Sequence, residues 1–274
     1  MYGKAQEYPQ PPPEGYNQPF PEQPSNPAYQ QVPQAAAEPN NQQYDPYGAA
    51  DGLSRKLSAD TRIGFIRKVL GILSVQLIFT AVGCSMVLND QYGAKMFFDR
   101  NPGLAILAAV GYLVTLYALG CYRSVARAVP TNYILLSIFT LCMTYIVANI
   151  VVYYDVYTVV SAAIITAAMV SGLTFYAMTT KTDFTYCGGI MWALFMVMAS
   201  GIVMGLIFRD RISQIFLSCV VIFIVSFYII YDVQLICGQR ANKIDIDDYI
   251  FAAMMLYVDI VRIFIEILRI IGKK

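Results

Sequence analysis

Seven stretches of this chain are long enough and apolar enough to cross a bilayer, which leaves little room for any other architecture. They fall at 65–88, 103–120, 132–153, 156–178, 187–208, 212–237 and 249–271, each near the roughly 20 residues that a helix needs to span about 30 Å of hydrocarbon. Of the 274 residues, 57% are hydrophobic and 14% charged, a balance too apolar for a soluble domain of this size. The expected fold class is an all-α membrane protein: a seven-transmembrane-helix bundle at 61–274 behind a tail at 1–60. The connections are short, and the one between 153 and 156 allows only a tight hairpin with Asp155 facing water.

The tail is rich in Pro, Gln and Tyr and poor in aliphatic residues (QPPPEGYNQPF, NNQQYDPYGA). Such a segment cannot bury enough apolar surface to offset its ordering entropy, so disorder is expected. No apolar stretch follows Met1, and the tail is expected to stay on the cytosolic side. Asn26-Pro27-Ala28-Tyr29 matches the NPxY pattern of endocytic and phosphotyrosine-binding ligands. That match points to trafficking adaptors as partners, although chance is the plainer reading in so Pro- and Tyr-rich a tail. Lysine and arginine in the flanks set the orientation. Arg55, Lys56, Arg62, Arg67 and Lys68 open the first span, and Arg123, Arg127, Lys181, Arg240 and Lys243 sit on the same side. Lys95, Arg100, Arg209, Arg211, Lys273 and Lys274 sit on the other, which favours a cytosolic amino terminus.

Composition also excludes several chemistries. Net charge is +1, which implies no nucleic-acid partner. Histidine is absent, which removes Ser-His and Cys-His catalysis and histidine metal sites. The six cysteines, Cys84, Cys121, Cys142, Cys187, Cys219 and Cys237, are scattered singly without a C-x-x-C pair and read as small packing residues. No cofactor is implied. Carboxylates remain the only groups that an environment could tune to titrate near neutrality.

Two such carboxylates sit deep in apolar runs: Asp232 in YIIYDVQLI and Asp259 in LYVDIVRIF. A carboxylate in hydrocarbon costs several kcal/mol unless it is paired, hydrated or protonated. Asp232 falls about one turn before the end of the sixth span. Asp259 lies ten residues into the seventh, roughly 15 Å of rise. Both are therefore expected in the cytosolic half, on consecutive antiparallel helices, with Arg123 at a comparable level. In contact they cannot both be ionised, so a shared proton would hold the helices together and its loss would drive them apart. The plainer alternative is that each acid bonds a neighbouring helix, with Tyr231 and Tyr257 as nearby donors.

Asp259, Arg262, Glu266 and Arg269 recur at helical spacing and form one charged stripe. It reads either as a ladder of intrahelical ion pairs or as the lining of an ion path. Asp245, Asp247 and Asp248 precede the seventh span, where helix capping outweighs calcium binding, since an EF-hand loop needs a different spacing. Gly201 and Gly205 form a GxxxG that favours packing within the bundle over dimerisation.

Five segments in order, VPTNYILLSIFT (129–140), YYDVYTVVSAAIITA (153–167), TKTDFT (180–185), YDVQLI (231–236) and DDYIFAAMMLYVDIV (247–261), together resemble the transmembrane BAX inhibitor motif family. The lifeguard, or glutamate-receptor-associated, subgroup is the nearest likeness. The resemblance implies a compact seven-helix bundle with the last helix central, residence in the endoplasmic reticulum, Golgi or plasma membrane, and a passive calcium leak that modulates cell death. It also implies a pH-sensitive latch at Asp232 and Asp259, which would bind calcium transiently. Arg123, or alternatively Arg127, matches a basic residue that helps hold the closed form. The lipid bilayer, calcium ions and cell-death regulators are the partners that follow. Two departures stand out: no acid occurs midway along the second span, where Tyr112 lies, and Arg262 follows Asp259 where relatives commonly carry a neutral residue. Arg262 and Glu266 are therefore expected as modulators of the latch.

Other functions fit less well. Intramembrane aspartyl proteases also pair two acids, but their second lies in a G-x-G-D motif that the surroundings of Asp259 lack, so no enzyme is expected. A seven-helix receptor would carry a D-R-Y triplet that is absent after the third span. The remaining rival is a non-conducting membrane adaptor that works through its tail.

Overall fold

The computed structural model describes residues 46–186, 188–207, 210–238 and 243–272. The helices are α1 (Pro46–Asn89), α2 (Gln91–Arg100), α3 (Pro102–Cys121), α4 (Arg123–Arg127), α5 (Thr131–Val151), α6 (Val156–Thr179), α7 (Gly188–Ile207), α8 (Arg211–Cys237) and α9 (Tyr249–Ile271). Single 3-10 turns lie at Phe184–Tyr186 and Ile246–Asp248. No strand occurs among the described residues. The disordered-tail and NPxY readings at 1–45, together with Cys187, Arg209, Arg240, Lys273 and Lys274, lie outside the described residues.

Among the described residues, five helical segments are long and apolar enough to cross a membrane: Ala59–Asn89 within α1, then α3, α5, α6 and α8. In α7 the stretch Gly188–Gly201 is apolar but shorter. α9 is 23 residues long but carries Asp259, Arg262, Glu266 and Arg269, which sets it apart by composition rather than length.

Three features differ from the sequence expectation. α1 already starts at Pro46, ahead of the boundary drawn at 60, because no proline follows Pro46 before the first span and the glycines there, Gly48, Gly52 and Gly64, stand singly among helix formers. At 44 residues it is roughly 66 Å long, about twice the hydrocarbon thickness. α2 is an additional short helix directly after the first span. Asp90 caps it by accepting from the Gly93 N–H at 3.0 Å, and Phe98 turns inward against Ala148 and Val152 while Tyr92 and Phe97 stay exposed. α4 forms a short helix in the connection before α5.

α9 carries more charge than α3, α5, α6, α7 or α8 and is also the most central helix. α9 packs against α3, α5, α6 and α8, and Ile250, Ala252, Ala253, Tyr257, Ile263 and Leu268 around it are fully buried. The outer helices show the opposite pattern. Ile106, Leu107, Val110, Leu113, Val114 and Tyr117 of α3 are exposed at spacings of one, three, three, one and three, a single apolar face. Exposed faces of this kind are what lipid covers, and an α9 wrapped by them keeps Glu266 buried and Asp259 and Arg262 half-buried, with Arg269 exposed only in its last turn.

A polar seam fixes α1 and α5 against α9. Gln76 Nε2 donates to Thr140 Oγ1 at 3.0 Å, and Thr80 Oγ1 lies 2.7 Å from the Tyr257 hydroxyl and 3.1 Å from Thr144 Oγ1. Gln76 and Thr80, like Thr140 and Thr144, are four residues apart and so share a face. Gly201 and Gly205 both meet Leu217 of α8, and Gln214 Nε2 donates to the Gly205 carbonyl at 3.0 Å. The GxxxG is thus a packing contact within the bundle.

Candidate functional site

α8 and α9 run antiparallel, and their pairing places the Asp232 and Asp259 side chains within reach of each other. A bond between two carboxyl groups requires a proton between them. Asp232 is buried, at 2% exposure. The buried Oδ1 of Asp232 and Oδ2 of Asp259 have no hydrogen-bond partner among the described residues. Tyr228 of α8 lies within electrostatic reach of both acids, and Tyr112 of α3 within reach of Asp259 and Arg262. Tyr257, a candidate donor by sequence, turns instead to Thr80.

Arg123 does not join this pair. Its Nη1 donates to Asp248 Oδ2 at 2.5 Å, and Arg127 donates to both oxygens of the same carboxylate, Nε to Oδ1 at 2.6 Å and Nη2 to Oδ2 at 2.9 Å. Arg127 also reaches Asp245 at 2.8 Å. The reason is axial distance: Asp248 stands at the entrance of α9, and Asp259 lies eleven residues further in, roughly 16 Å along the helix. Asp248 occupies the N-cap position of α9 but makes no side-chain cap bond, because both oxygens are engaged by arginine. The capping reading is corrected accordingly. Those bonds, Arg127 foremost, hold the Asp248 carboxyl below the usual carboxylate range despite the opposing cost of burial.

Arg262 pairs along its own helix. Its Nε lies 3.2 Å from Glu266 Oε1, close enough to ion-pair although not aligned for a hydrogen bond. Arg269 Nη1 donates to both Glu266 oxygens at 3.2 Å. Ser218 of α8 donates to Glu266 Oε2 at 2.8 Å. Glu266, 2% exposed, is therefore the hub of the stripe, and the ladder reading describes its geometry.

One connector was not foreseen. Arg62 of α1 donates to the Leu235 and Ile244 carbonyls, at 2.6 Å each, and so closes the end of α8 onto the start of the segment leading to α9. Gly238 ends α8 at φ +64°, and a Cβ there would run into the Arg62 guanidinium. Among the described residues, no group of three or more His, Cys, Asp or Glu is placed to hold a metal ion.

A multi-pass, all-α membrane protein with a carboxyl pair buried between its last two helices is the class these features define. Residues 62–274 match the family described as inhibitor of apoptosis-promoting Bax1, and the chain belongs to this BAX inhibitor motif family. It is similar to protein lifeguard 3 of Homo sapiens, at 30% identity over 97% of this chain and 94% of that protein. It is also similar to protein lifeguard 4 of Mus musculus, at 32% identity over 77% and 86%. A third relative is the Golgi anti-apoptotic protein of vaccinia virus (strain Lister), at 29% identity over 78% and 87%.

Proposed function

We propose that this protein is a seven-span, pH-sensitive calcium leak channel of endomembranes or plasma membrane, with its amino terminus cytosolic, that modulates calcium content and cell death. It is not an enzyme in this reading. The observation that supports it is the placement of Asp232, which is buried, and Asp259, which is half-buried, within reach of each other on adjacent helices. With one proton shared, α8 and α9 are held together. Once it is lost, two like charges face each other in low dielectric and the helices separate. Calcium, the transported ion, would meet the exposed carboxylates transiently, which a leak requires and a storage site does not. α7 and α9 complete seven spans, with α9 tolerated because neighbouring helices cover Asp259, Arg262 and Glu266 wholly or in part and Arg269 lies in its last turn. The family's description, inhibitor of apoptosis-promoting Bax1, supports a role in cell death, and the viral relative's name supports a Golgi location and an anti-apoptotic outcome. Arg123 and Arg127 contribute by anchoring the entrance of α9 rather than by touching the latch, and Arg262 and Glu266 by fixing its far half.

One observation favours a second reading, a non-conducting adaptor acting through cell-death or trafficking partners. The charges of Arg262, Glu266 and Arg269 are engaged with one another and do not have to line a path. Calcium flux into proteoliposomes separates the two: the channel predicts flux that varies with pH and changes in Asp232→Asn or Asp259→Asn, and the adaptor predicts the leak of empty vesicles.

A further inference from the structure

At the end of the bundle that carries the 152–155 turn, a groove of about 700 Å³ opens between α3, α5 and the last turn of α9. Ala105 and Ala109 of α3 and Ile146 of α5 form an apolar wall, while Asn149 and Arg269 line it with polar groups. The small alanine side chains create the space, and Ala109 is exposed into it.

The charge in this groove is unbalanced. Arg262 and Arg269 share a single carboxylate, Glu266, which leaves one positive charge in excess on this part of α9. The Arg269 side chain keeps 42% of its surface exposed. Asp99 is not within ion-pair distance of Arg269: it accepts from the Tyr153 hydroxyl at 2.8 Å, and the ion pair of Arg269 among the described residues is with Glu266. Tyr145, which lines the same groove, has a buried hydroxyl without a partner among the described residues. An acceptor oxygen seated there would satisfy it.

The position along the membrane normal is equally specific. Arg269 lies in the final turn of α9, and Tyr153 and Tyr154 lie in the turn after α5, the level at which tyrosines sit among lipid headgroups. The groove runs from that level into the apolar face of α3. We infer that it seats one anionic phospholipid, with the headgroup phosphate against Arg269 and Asn149 and an acyl chain along Ala105 and Ala109. Guanidinium suits phosphate because its N–H groups match two oxygens at once, and basic pockets between membrane helices hold headgroups on this principle.

Native mass spectrometry and thermal melting of the purified full chain test this, with phosphatidylglycerol, phosphatidylcholine and inorganic phosphate as separate probes. The expected result is one retained phosphatidylglycerol per chain, a raised melting temperature, and weaker retention of phosphatidylcholine. Arg269→Gln should weaken retention about fivefold, the effect of one arginine near a membrane surface. Ala109→Phe should abolish it by filling the groove while every charge stays in place, so loss there cannot be blamed on a broken Glu266 hub. Equal retention by the wild-type chain and Ala109→Phe would overturn the proposal. So would retention indifferent to headgroup charge, or an equal melting shift from inorganic phosphate alone, which would make the site one for free anions.

Discussion

Arg127 grips Asp248 with two parallel bonds, Nε to Oδ1 at 2.6 Å and Nη2 to Oδ2 at 2.9 Å, and so ties α4 to the entrance of α9. The fork geometry matters as much as the charge. Arg127→Lys should therefore lower the melting temperature of the purified protein even though the charge is kept, and Asp248→Asn should lower it further by releasing Arg123 as well. Asp247→Asn, at an exposed neighbour, should change little. Equal shifts at 247 and 248 would show that the clasp carries no stability.

The same carboxylate predicts an acid limb of stability. Asp248 is held below the usual carboxylate range in the folded protein, so its contribution is present above its unfolded value of about 3.9. It is lost as pH falls through the lower folded value. Melting temperature should drop below about pH 4, and the part of that drop owed to the clasp should be missing in Asp248→Asn.

Glu266 serves two arginines and Ser218 from a buried position. Glu266→Ala leaves Arg262 without its pair inside the bundle and is expected to cost about 3 kcal/mol, the scale of breaking a buried ion pair. Ser218→Ala removes one hydrogen bond and should cost about 1 kcal/mol. Denaturant melts of the two single variants and the double variant check this. Strict additivity would argue against the shared hub.

Gly238 is the one described residue with left-handed backbone, at φ +64°, and its missing side chain leaves room for the Arg62 guanidinium. Gly238→Ala should destabilise by about 1 kcal/mol from backbone strain alone, with a further loss from displacing Arg62. Gly64→Ala, where an added Cβ meets open space, should be neutral or slightly stabilising. Thermal melts of both variants give the comparison directly.

Spans with one dominant character were legible in the sequence. The bounds read for α3, α5, α6 and α8 fall within one or two residues of the helices, because long apolar runs ending in Gly, Pro or charge admit few alternatives. The adjacency of α8 and α9, which carry Asp232 and Asp259, was legible too, from the short connection that forces these helices together. The roles of Arg123 and Asp248 were not. Spacing places a residue along its own helix but not against a helix a hundred residues away, and an acid before a helix looks like a cap whether or not an arginine claims it. Arg62 was hidden similarly, read as an orientation signal when it also closes the end of α8. The Gln76/Thr80 and Thr140/Thr144 repeats, four apart in apolar helices, were the overlooked signal for the polar seam.

The central claim is that the Asp232–Asp259 contact gates calcium. Calcium uptake into proteoliposomes containing the intact chain, measured from pH 5 to 8, tests it most directly. The account predicts low flux at acid pH, where the shared proton holds α8 to α9, rising flux as pH increases, and a flattened profile in Asp232→Asn and Asp259→Asn. Flux equal to that of empty vesicles at every pH, or a pH profile identical in the wild-type chain and both asparagine variants, would contradict it.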